Sequence, residues 1–320
     1  VFVTGGPGRG KTALLHEFAR RALDAHPKLL LAMGAGSAYA GVGDPYLPFR
    51  EVLAMLSGEV EGRWAAGTLT TVQARRLWAA LPEVDAILAQ RGSGLVGTLL
   101  SGRALLDRAR AAAPSGAGWL ERIARLAERD APAQGLEQSH LFEQVSNVLL
   151  DLSARHPLLI ILDDLQWADL ASISLLFHLG RRLGRADSRL LIACAYRPEE
   201  VATDRAGERH TLARVLSEFK RTFGDVWLDL GQVDRTEGRR FLDALLDAEP
   251  NRLAEGFRAA LFQRTEGHPL YTVELLHAMQ ERGDLVQDKD GCWIEGSALD
   301  WEALPARVEA VLEDRIERLD

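Results

Sequence analysis

The chain alternates continuous apolar runs with longer segments in which apolar residues recur at helical spacing. The clearest apolar run, at residues 158–164, is Leu-Leu-Ile-Ile-Leu followed by two acids. Uninterrupted runs of this kind are typical of parallel strands that are buried on both faces of a sheet. We predict five strands, at residues 1–3, 28–35, 158–164, 189–196 and 225–230. The pattern therefore predicts an α/β fold built on a parallel sheet.

Helical periodicity is clearest at residues 140–154, where the apolar positions share one face. Further helices are predicted at 12–23, from 48, and at 73–81, 99–113, 119–128, 171–183, 234–246, 251–264, 271–283 and 305–319. About 120 residues separate the second and third strands, too many for a plain crossover. We therefore predict a helical insertion over about 46–155. An Asp-Gly turn favours a short hairpin over 285–295.

Residues 5–12 read Gly-Gly-Pro-Gly-Arg-Gly-Lys-Thr, which is the spacing of a phosphate-binding loop between a strand and a helix. The glycines let successive backbone N–H groups face one anion, and the N-terminus of the following helix favours negative charge. In such a loop Lys11 reaches the β- and γ-phosphates, and the Thr12 hydroxyl binds Mg²⁺. We predict that a nucleoside triphosphate is bound by Gly6, Pro7, Gly8, Arg9, Gly10, Lys11, Thr12 and Ala13.

Two adjacent acids end the apolar strand at 158–164, and a phosphate-binding loop needs a carboxylate partner. Strand alternation points their side chains in different directions. We assign Asp163 to the Mg²⁺ shell, through water, and Asp164 to polarising the attacking water. Alternatively, both are solvated residues at a strand end, but the phosphate-binding loop favours the catalytic interpretation.

The next strand, at 189–196, is followed by Arg197, beside the strand that carries the two acids. A basic residue there can sense the γ-phosphate and stabilise charge in transfer. The alternative is a surface arginine at the start of a loop. Asp169 is interpreted as the N-cap of the helix at 171–183 in preference to a catalytic role, and Trp167 as a core or interface residue.

Composition narrows the class of protein. Hydrophobic residues make up 47% and charged residues 26% of the chain, as in soluble globular proteins, and no apolar run approaches the roughly 18 residues that span a membrane. The net charge of −8 argues against direct nucleic-acid binding, which depends on neutralising phosphates. Cys194 and Cys292 have no metal-ligand spacing. We therefore predict a reduced, cytoplasmic protein without zinc or structural disulfides.

Five motifs occur in a characteristic order along the chain. They are the phosphate-binding loop at 5–12, PYLPFREVL at 45–53, LLIILDDLQWAD at 158–169, YRPEE at 196–200 and TEGHPLYTVELL at 265–276. In this order they resemble the STAND-type signalling ATPases, which are P-loop proteins of the wider AAA+ group. The chain is especially similar to the ATPase module of large LuxR-type transcriptional regulators and of multidomain proteins with cyclase or tetratricopeptide segments.

The resemblance implies a regulatory ATP/ADP switch that binds Mg²⁺ and hydrolyses ATP slowly. It implies a P-loop nucleotide-binding domain over 1–232, a helical lid at 233–283 and a partial winged helix at 284–320. In this family ADP holds a closed form, and ATP with an inducer opens it toward self-association, in signal transduction or transcription regulation. By motif, Arg197 senses the γ-phosphate and Pro269 packs near the adenine.

The sequence departs from the family pattern at both ends. A Gly-Arg-Glu segment that helps to wall the adenine in the family is missing before the first strand, and the winged helix is unfinished at Asp320. Few residues precede the loop and no initiator Met is present. We therefore expect the chain to be a piece of a longer protein.

Two other functions compete with the switch. An AAA+ motor or loader acting on DNA or protein would need pore loops with basic or aromatic residues, and the insertion offers no clear run of them. A small-molecule kinase would need an acceptor pocket and lid after the P-loop domain, which the doubled acids and the long helical tail disfavour. Turnover separates the three functions, because it depends on an inducer in a switch, on a polymer in a motor and on an acceptor in a kinase.

Overall fold

The computed structural model describes residues 1–38, 45–113, 117–128, 137–184, 188–202, 211–232, 234–297, 299–302 and 304. The chain divides into two compact units. The first comprises Val1–Thr4 and Thr12–Leu228, and the second comprises Gly5–Lys11 and Asp229–Asp320. The phosphate-binding loop is therefore grouped with the C-terminal part of the chain.

A five-stranded sheet organises the first unit. Its strands are β1 (Phe2–Thr4), β2 (Leu30–Ala35), β3 (Leu158–Asp163), β4 (Leu190–Tyr196) and β5 (Trp227–Asp229), in the order β2-β3-β4-β1-β5. The pairing is parallel, with Ala32 opposite Ile160 and Phe2 opposite Cys194. All five predicted strands are present, although β2 begins two residues later than predicted and β5 is only three residues long. The chain has the α/β fold of P-loop NTPases.

The central strand β3 is buried on both faces, as its apolar sequence predicts. Leu158, Ile160 and Leu162 belong to the main hydrophobic core that the sheet forms with its helices. Leu159 and Ile161 alternate with them and are equally buried on the opposite face. Because both faces of β3 are covered, only its carboxyl end can present polar side chains.

Helices fill the intervals between the strands. They are α1 (Lys11–Ala25), α2 (Leu47–Leu56), α3 (Glu61–Ala65), α4 (Thr71–Arg91), α5 (Gly102–Ala112), α6 (Gly118–Ala127), α7 (Gln138–Arg155), α8 (Leu170–Leu183), α9 (Pro198–Ala202) and α10 (Thr211–Phe223). In the described part of the chain between β2 and β3, the six helices α2 to α7 occupy the segment called the insertion here. None of the described helices is long and apolar enough to cross a membrane.

Helix α4 is longer than its sequence pattern predicts, and helices α3, α9 and α10 were not predicted. We predicted a helix over 73–81, but α4 continues through Pro82 to Arg91. A proline inside a helix removes one backbone hydrogen bond, yet Leu77, Leu81, Val84 and Leu88 are all buried in the core. Packing of this face therefore outweighs the local cost of the proline.

The second unit is helical and has its own core. It contains α11 (Arg235–Leu246), α12 (Glu255–Thr265), α13 (Pro269–Arg282) and an antiparallel hairpin of β6 (Leu285–Gln287) with β7 (Trp293–Glu295). Leu242, Leu261, Leu275 and Met279 are fully buried in this core. The hairpin and the three helices agree with the sequence patterns, whereas the helix predicted at 305–319 lies outside the described residues.

Candidate functional site

The phosphate-binding loop adopts a conformation that its glycines make possible. Gly8 has a φ of 68° and Gly10 a φ of 85°, in the left-handed region that other residues rarely enter. Within the second unit, the Leu270 N–H donates to the Gly8 carbonyl over 3.1 Å. A Cβ at Gly8 would lie 2.7 Å from the Cβ of Leu270. Gly8 is therefore required both by its backbone angle and by its contact with the start of α13.

Lys11 ends this loop and is only 7% exposed. Its Nζ donates to the carbonyl oxygens of Gly5 at 2.8 Å and Gly6 at 2.9 Å. The same residue begins α1, whose first turn contains no acidic residue. A buried ammonium group beside an uncompensated helix N-terminus forms a positive site that suits a phosphate.

Thr12 and Asp163, the two residues assigned to Mg²⁺, lie together in the first unit. Thr12 Oγ1 donates to Asp163 Oδ2 over 2.6 Å, although 151 positions separate the two residues. The other oxygen, Oδ1, accepts the backbone N–H of Asp164 at 2.8 Å. Mg²⁺ prefers oxygen ligands and keeps several waters in its shell. The Thr12 hydroxyl and the Asp163 carboxylate, in contact at the end of β3, offer the oxygen ligands that Mg²⁺ prefers.

Asp164 follows β3 in a left-handed conformation, with φ 50° and ψ 44°. Its Oδ1 accepts a hydrogen bond from Gln166 Nε2 at 2.8 Å. Gly36 packs against the backbone of the same turn, because a Cβ there would lie 2.4 Å from the Asp164 carbonyl oxygen. The two adjacent acids thus have different environments, Asp163 facing Thr12 and Asp164 facing Gln166.

Arg197 lies at the end of β4, but its side chain has partners other than the two acids. Its Nη1 donates to Glu200 Oε1 at 2.7 Å, and its guanidinium lies 4.9 Å from the centre of the Trp167 ring. Its backbone N–H donates to Gln166 Oε1 at 3.1 Å. The predicted contact with a γ-phosphate stays a prediction.

Pro269 is the first residue of α13 in the second unit. It lies between Leu270, which contacts the phosphate-binding loop, and the N-cap His268, whose Nδ1 accepts the Tyr271 N–H at 3.4 Å. The motif that contains Pro269 is therefore close in space to Gly8, within the second unit. Its predicted role at the adenine remains untested.

The other interpretations of this region can be compared with the structure. Asp169 is the N-cap of α8, since its Oδ1 accepts the Ser172 N–H at 2.9 Å, and its Oδ2 also accepts the Tyr46 N–H at 3.0 Å. Trp167 is partly buried, and its Nε1 donates to Glu200 at 2.9 Å. Cys194 is buried within β4, and burial raises the pKa of its thiol to about 12.

Sequence reasoning missed Gln166, Glu200 and Gly36 beside the two acids in the first unit, and it missed Leu270 beside Gly8 in the second unit. Gln166 and Glu200 lie inside two of the five motifs, but their partners are set by the fold. The one available signal was a glutamine within an otherwise apolar turn, because a buried amide needs hydrogen-bond partners.

Comparison with protein families identifies the chain. The model of the AAA ATPase domain family matches residues 1–192, which is more than half of the chain. The chain belongs to the AAA ATPase domain family. Among solved structures, this AAA ATPase domain is similar to the crystal structure of the FIGL-1 AAA domain in complex with ADP, at 16% sequence identity and a TM-score of 0.28. That alignment covers 54% of this chain and 56% of that chain. Curated protein sequences give no match.

The part that matches the AAA ATPase domain contains the phosphate-binding loop, Thr12 and both acids of β3. It ends within β4, before Arg197 and Pro269. Nucleotide binding and ATPase activity in general are therefore supported by the family. The assignments of Arg197 and Pro269 rest on the resemblance alone.

Proposed function

We propose that this chain is the ATP-binding and slowly hydrolysing switch module of a larger signalling or transcription-regulating protein of the STAND type. The observation that carries the proposal is the 2.6 Å hydrogen bond from Thr12 Oγ1 to Asp163 Oδ2. These are the two residues that the motifs assign to Mg²⁺, and they meet across a long stretch of sequence. The AAA ATPase domain match over residues 1–192 also supports it.

Binding rests on the loop and its first helical turn. We propose that Gly6, Pro7, Gly8, Arg9, Gly10, Lys11, Thr12 and Ala13 hold the phosphates, with Lys11 donating to their oxygens. Thr12 and Asp163 would hold Mg²⁺, with phosphate oxygens and water completing its shell. Mg²⁺ supplies charge neutralisation to the β- and γ-phosphates.

Hydrolysis requires a base or water-positioning group, and Asp164 takes that role in the proposal. The water oxygen forms a bond to the γ-phosphorus, and the bond to the β–γ bridging oxygen breaks with its electron pair going to ADP. The water proton passes to Asp164 and then to solvent. Glu200 already pairs with Arg197 at 2.7 Å, so less arginine charge is available to stabilise the transition state. This pairing supports slow turnover.

The switch rests on the contact between the loop and α13 within the second unit. The Gly8 carbonyl accepts the Leu270 N–H, and a side chain at Gly8 would collide with Leu270. A nucleotide that orders the loop therefore also favours one position of α13. We propose that ADP holds this arrangement and that ATP, with an inducer, releases it toward self-association.

The test is to denature freshly purified protein and identify the released nucleotide by chromatography. The proposal expects ADP near one equivalent, and Mg²⁺-dependent ATP turnover that neither DNA nor an unfolded protein stimulates. Lys11→Ala should remove both the bound nucleotide and the turnover. ATP hydrolysis that persists in Lys11→Ala would reject the site, and strong stimulation by a polymer would favour a motor.

A further inference from the structure

We propose that Gln166 is a positioning residue for ATP hydrolysis, which holds the Asp164 carboxylate and connects it to the end of β4. This inference rests on the proposed function, because it assigns a residue to the same reaction. Gln166 lies in the short 3-10 turn Leu165–Trp167 that follows the two acids. It is only 4% exposed, so its amide must find its hydrogen-bond partners within the protein.

The amide of Gln166 uses both of its ends. Nε2 donates to Asp164 Oδ1 at 2.8 Å, and Oε1 accepts the backbone N–H of Arg197 at 3.1 Å. These partners fix the orientation of the amide, since the reverse would place an oxygen against a carboxylate and an N–H against an N–H. Neither a carboxylate nor an aliphatic side chain of similar length can make both bonds.

Asp164 needs such support because its backbone is in the left-handed region, with φ 50° and ψ 44°. Non-glycine residues stay there only where their surroundings fix them. Gly36 fixes the backbone side of the turn, and Gln166 fixes the carboxylate. Among the described residues no donor contacts Asp164 Oδ2, so this oxygen remains available to a water molecule.

A second hydrogen bond connects the turn Leu165–Trp167 to the segment after β4, this time to α9. Trp167 Nε1 donates to Glu200 Oε2 at 2.9 Å, while Glu200 Oε1 pairs with Arg197. The guanidinium of Arg197 lies over the Trp167 ring. The backbone and the side chain of Arg197 therefore both contact the turn that follows Asp164.

Two substitutions separate the two bonds of the amide. Gln166→Glu keeps an oxygen for the Arg197 N–H but places a second carboxylate beside Asp164. Neighbouring carboxylates raise one another's pKa, so the acid limb of the kcat profile should move to higher pH. Gln166→Leu removes both bonds without adding a charge. Both should lower kcat by about 10- to 100-fold, which is less than the roughly 10²- to 10⁴-fold effect of losing a general acid or base itself. ATP affinity should change by less than about threefold.

Gln144→Glu is the matched control. Gln144 is also buried, and its Oε1 also accepts a backbone N–H, that of Gly94 at 2.8 Å, but it lies on α7 in the insertion. The measurements are kcat, KM and the pH dependence of kcat with Mg·ATP, together with the melting temperature of each variant. The control should resemble the wild type in the kcat profile, even if its melting temperature falls.

The outcomes distinguish this inference from the proposed function. If the wild type hydrolyses no ATP, or if Lys11→Ala hydrolyses ATP equally well, the proposed function is rejected. The role of Gln166 is then rejected with it. Lys11-dependent turnover with an unchanged kcat and pH profile in both Gln166 variants rejects only the positioning role. A fall in kcat that Gln144→Glu reproduces also rejects it, because the effect would then follow stability. The positioning role is supported if kcat is lower in both Gln166 variants and the acid limb of the kcat profile moves in Gln166→Glu alone.

Discussion

Two identical acids in neighbouring positions, Asp163 and Asp164, have different contacts. Asp163 is the last residue of β3, and both of its oxygens accept hydrogen bonds, from Thr12 and from the Asp164 N–H. Asp164 leaves the strand in a left-handed turn, and its side chain is held by Gln166. The first is therefore suited to a metal ion and the second to a water molecule.

We expect Asp164→Asn to leave ATP binding intact and to slow hydrolysis about 100-fold or more, since the substitution removes a proton acceptor. Asparagine tolerates the left-handed backbone, and its carbonyl oxygen can still accept from Gln166. The turn should therefore keep its shape. Binding is measured by titration with ATP, and hydrolysis by release of phosphate. Full turnover in this variant would reject the role given to Asp164.

The sequence predicted Thr12 and the two acids but not Gln166, and the reason is physical. The loop motif has fixed covalent spacing, and a buried strand presents polar groups at its carboxyl end, so both follow from local pattern. The side chain of Gln166 is fixed by the backbone N–H of Arg197, which is 31 positions away. Only the pairing of β3 with β4 makes that contact, and no local pattern reports it.

At the scale of elements, the insertion shows how tertiary packing outweighs local preference. Pro82 disfavours a continuous helix, but α4 continues because its buried face is continuous on both sides of the proline. The strands were easier to predict, since each is a short apolar run in a parallel sheet. Their ends were less certain, as the three-residue β5 shows.

Helix α4 also buries a carboxyl group without a hydrogen-bond partner. Asp85 is fully buried, and neither of its carboxylate oxygens accepts a hydrogen bond from the described residues. Burial raises the pKa of Asp85 to about 7, while Arg108 on α5 opposes the rise. Arg108 itself donates to the Ser57 carbonyl at 2.8 Å and lies 3.6 Å from Glu59.

This environment predicts a pH dependence of stability. Because the pKa of Asp85 is higher in the folded chain than its ordinary value of 3.8, the folded state binds more protons between these values. The stability that Asp85 contributes is therefore full below about pH 4 and is lost as pH rises through about 7. Asp85→Asn removes the titration, so the variant should gain on the order of 2–4 kcal/mol relative to wild type between pH 4 and pH 8.

Urea unfolding at several pH values measures this difference. Asp151→Asn is the control, because the side chain of Asp151 on α7 is half-exposed and its surface ion pair with Arg91 should contribute little. A difference between Asp85→Asn and wild type that stays constant with pH would contradict the assignment to Asp85.

At the scale of the whole molecule, the loop is joined to residues that follow it far along the chain. Gly5–Lys11 is grouped with the part of the chain from Asp229 onward, and one physical cause is the close contact of Gly8 with Leu270. Sequence spacing placed the loop before α1 but could not show this contact. The positive φ of Gly8 explains locally why the loop motif has a glycine at this position. The collision that a Cβ would make with Leu270 gives a second reason, which depends on the fold.

The contact between Gly8 and Leu270 predicts which backbone amides a bound nucleotide should protect from hydrogen exchange. We expect ADP to slow amide hydrogen exchange at residues 270–276 of α13 as well as in the loop, because the Leu270 N–H donates to the Gly8 carbonyl. Residues 285–295 of the hairpin serve as an internal control and should change much less. Hydrogen exchange followed by mass spectrometry compares the protein with and without ADP, and Lys11→Ala should remove the difference. Protection confined to the loop would mean that α13 does not respond to the nucleotide, and the switch would then need another connection to the rest of the chain.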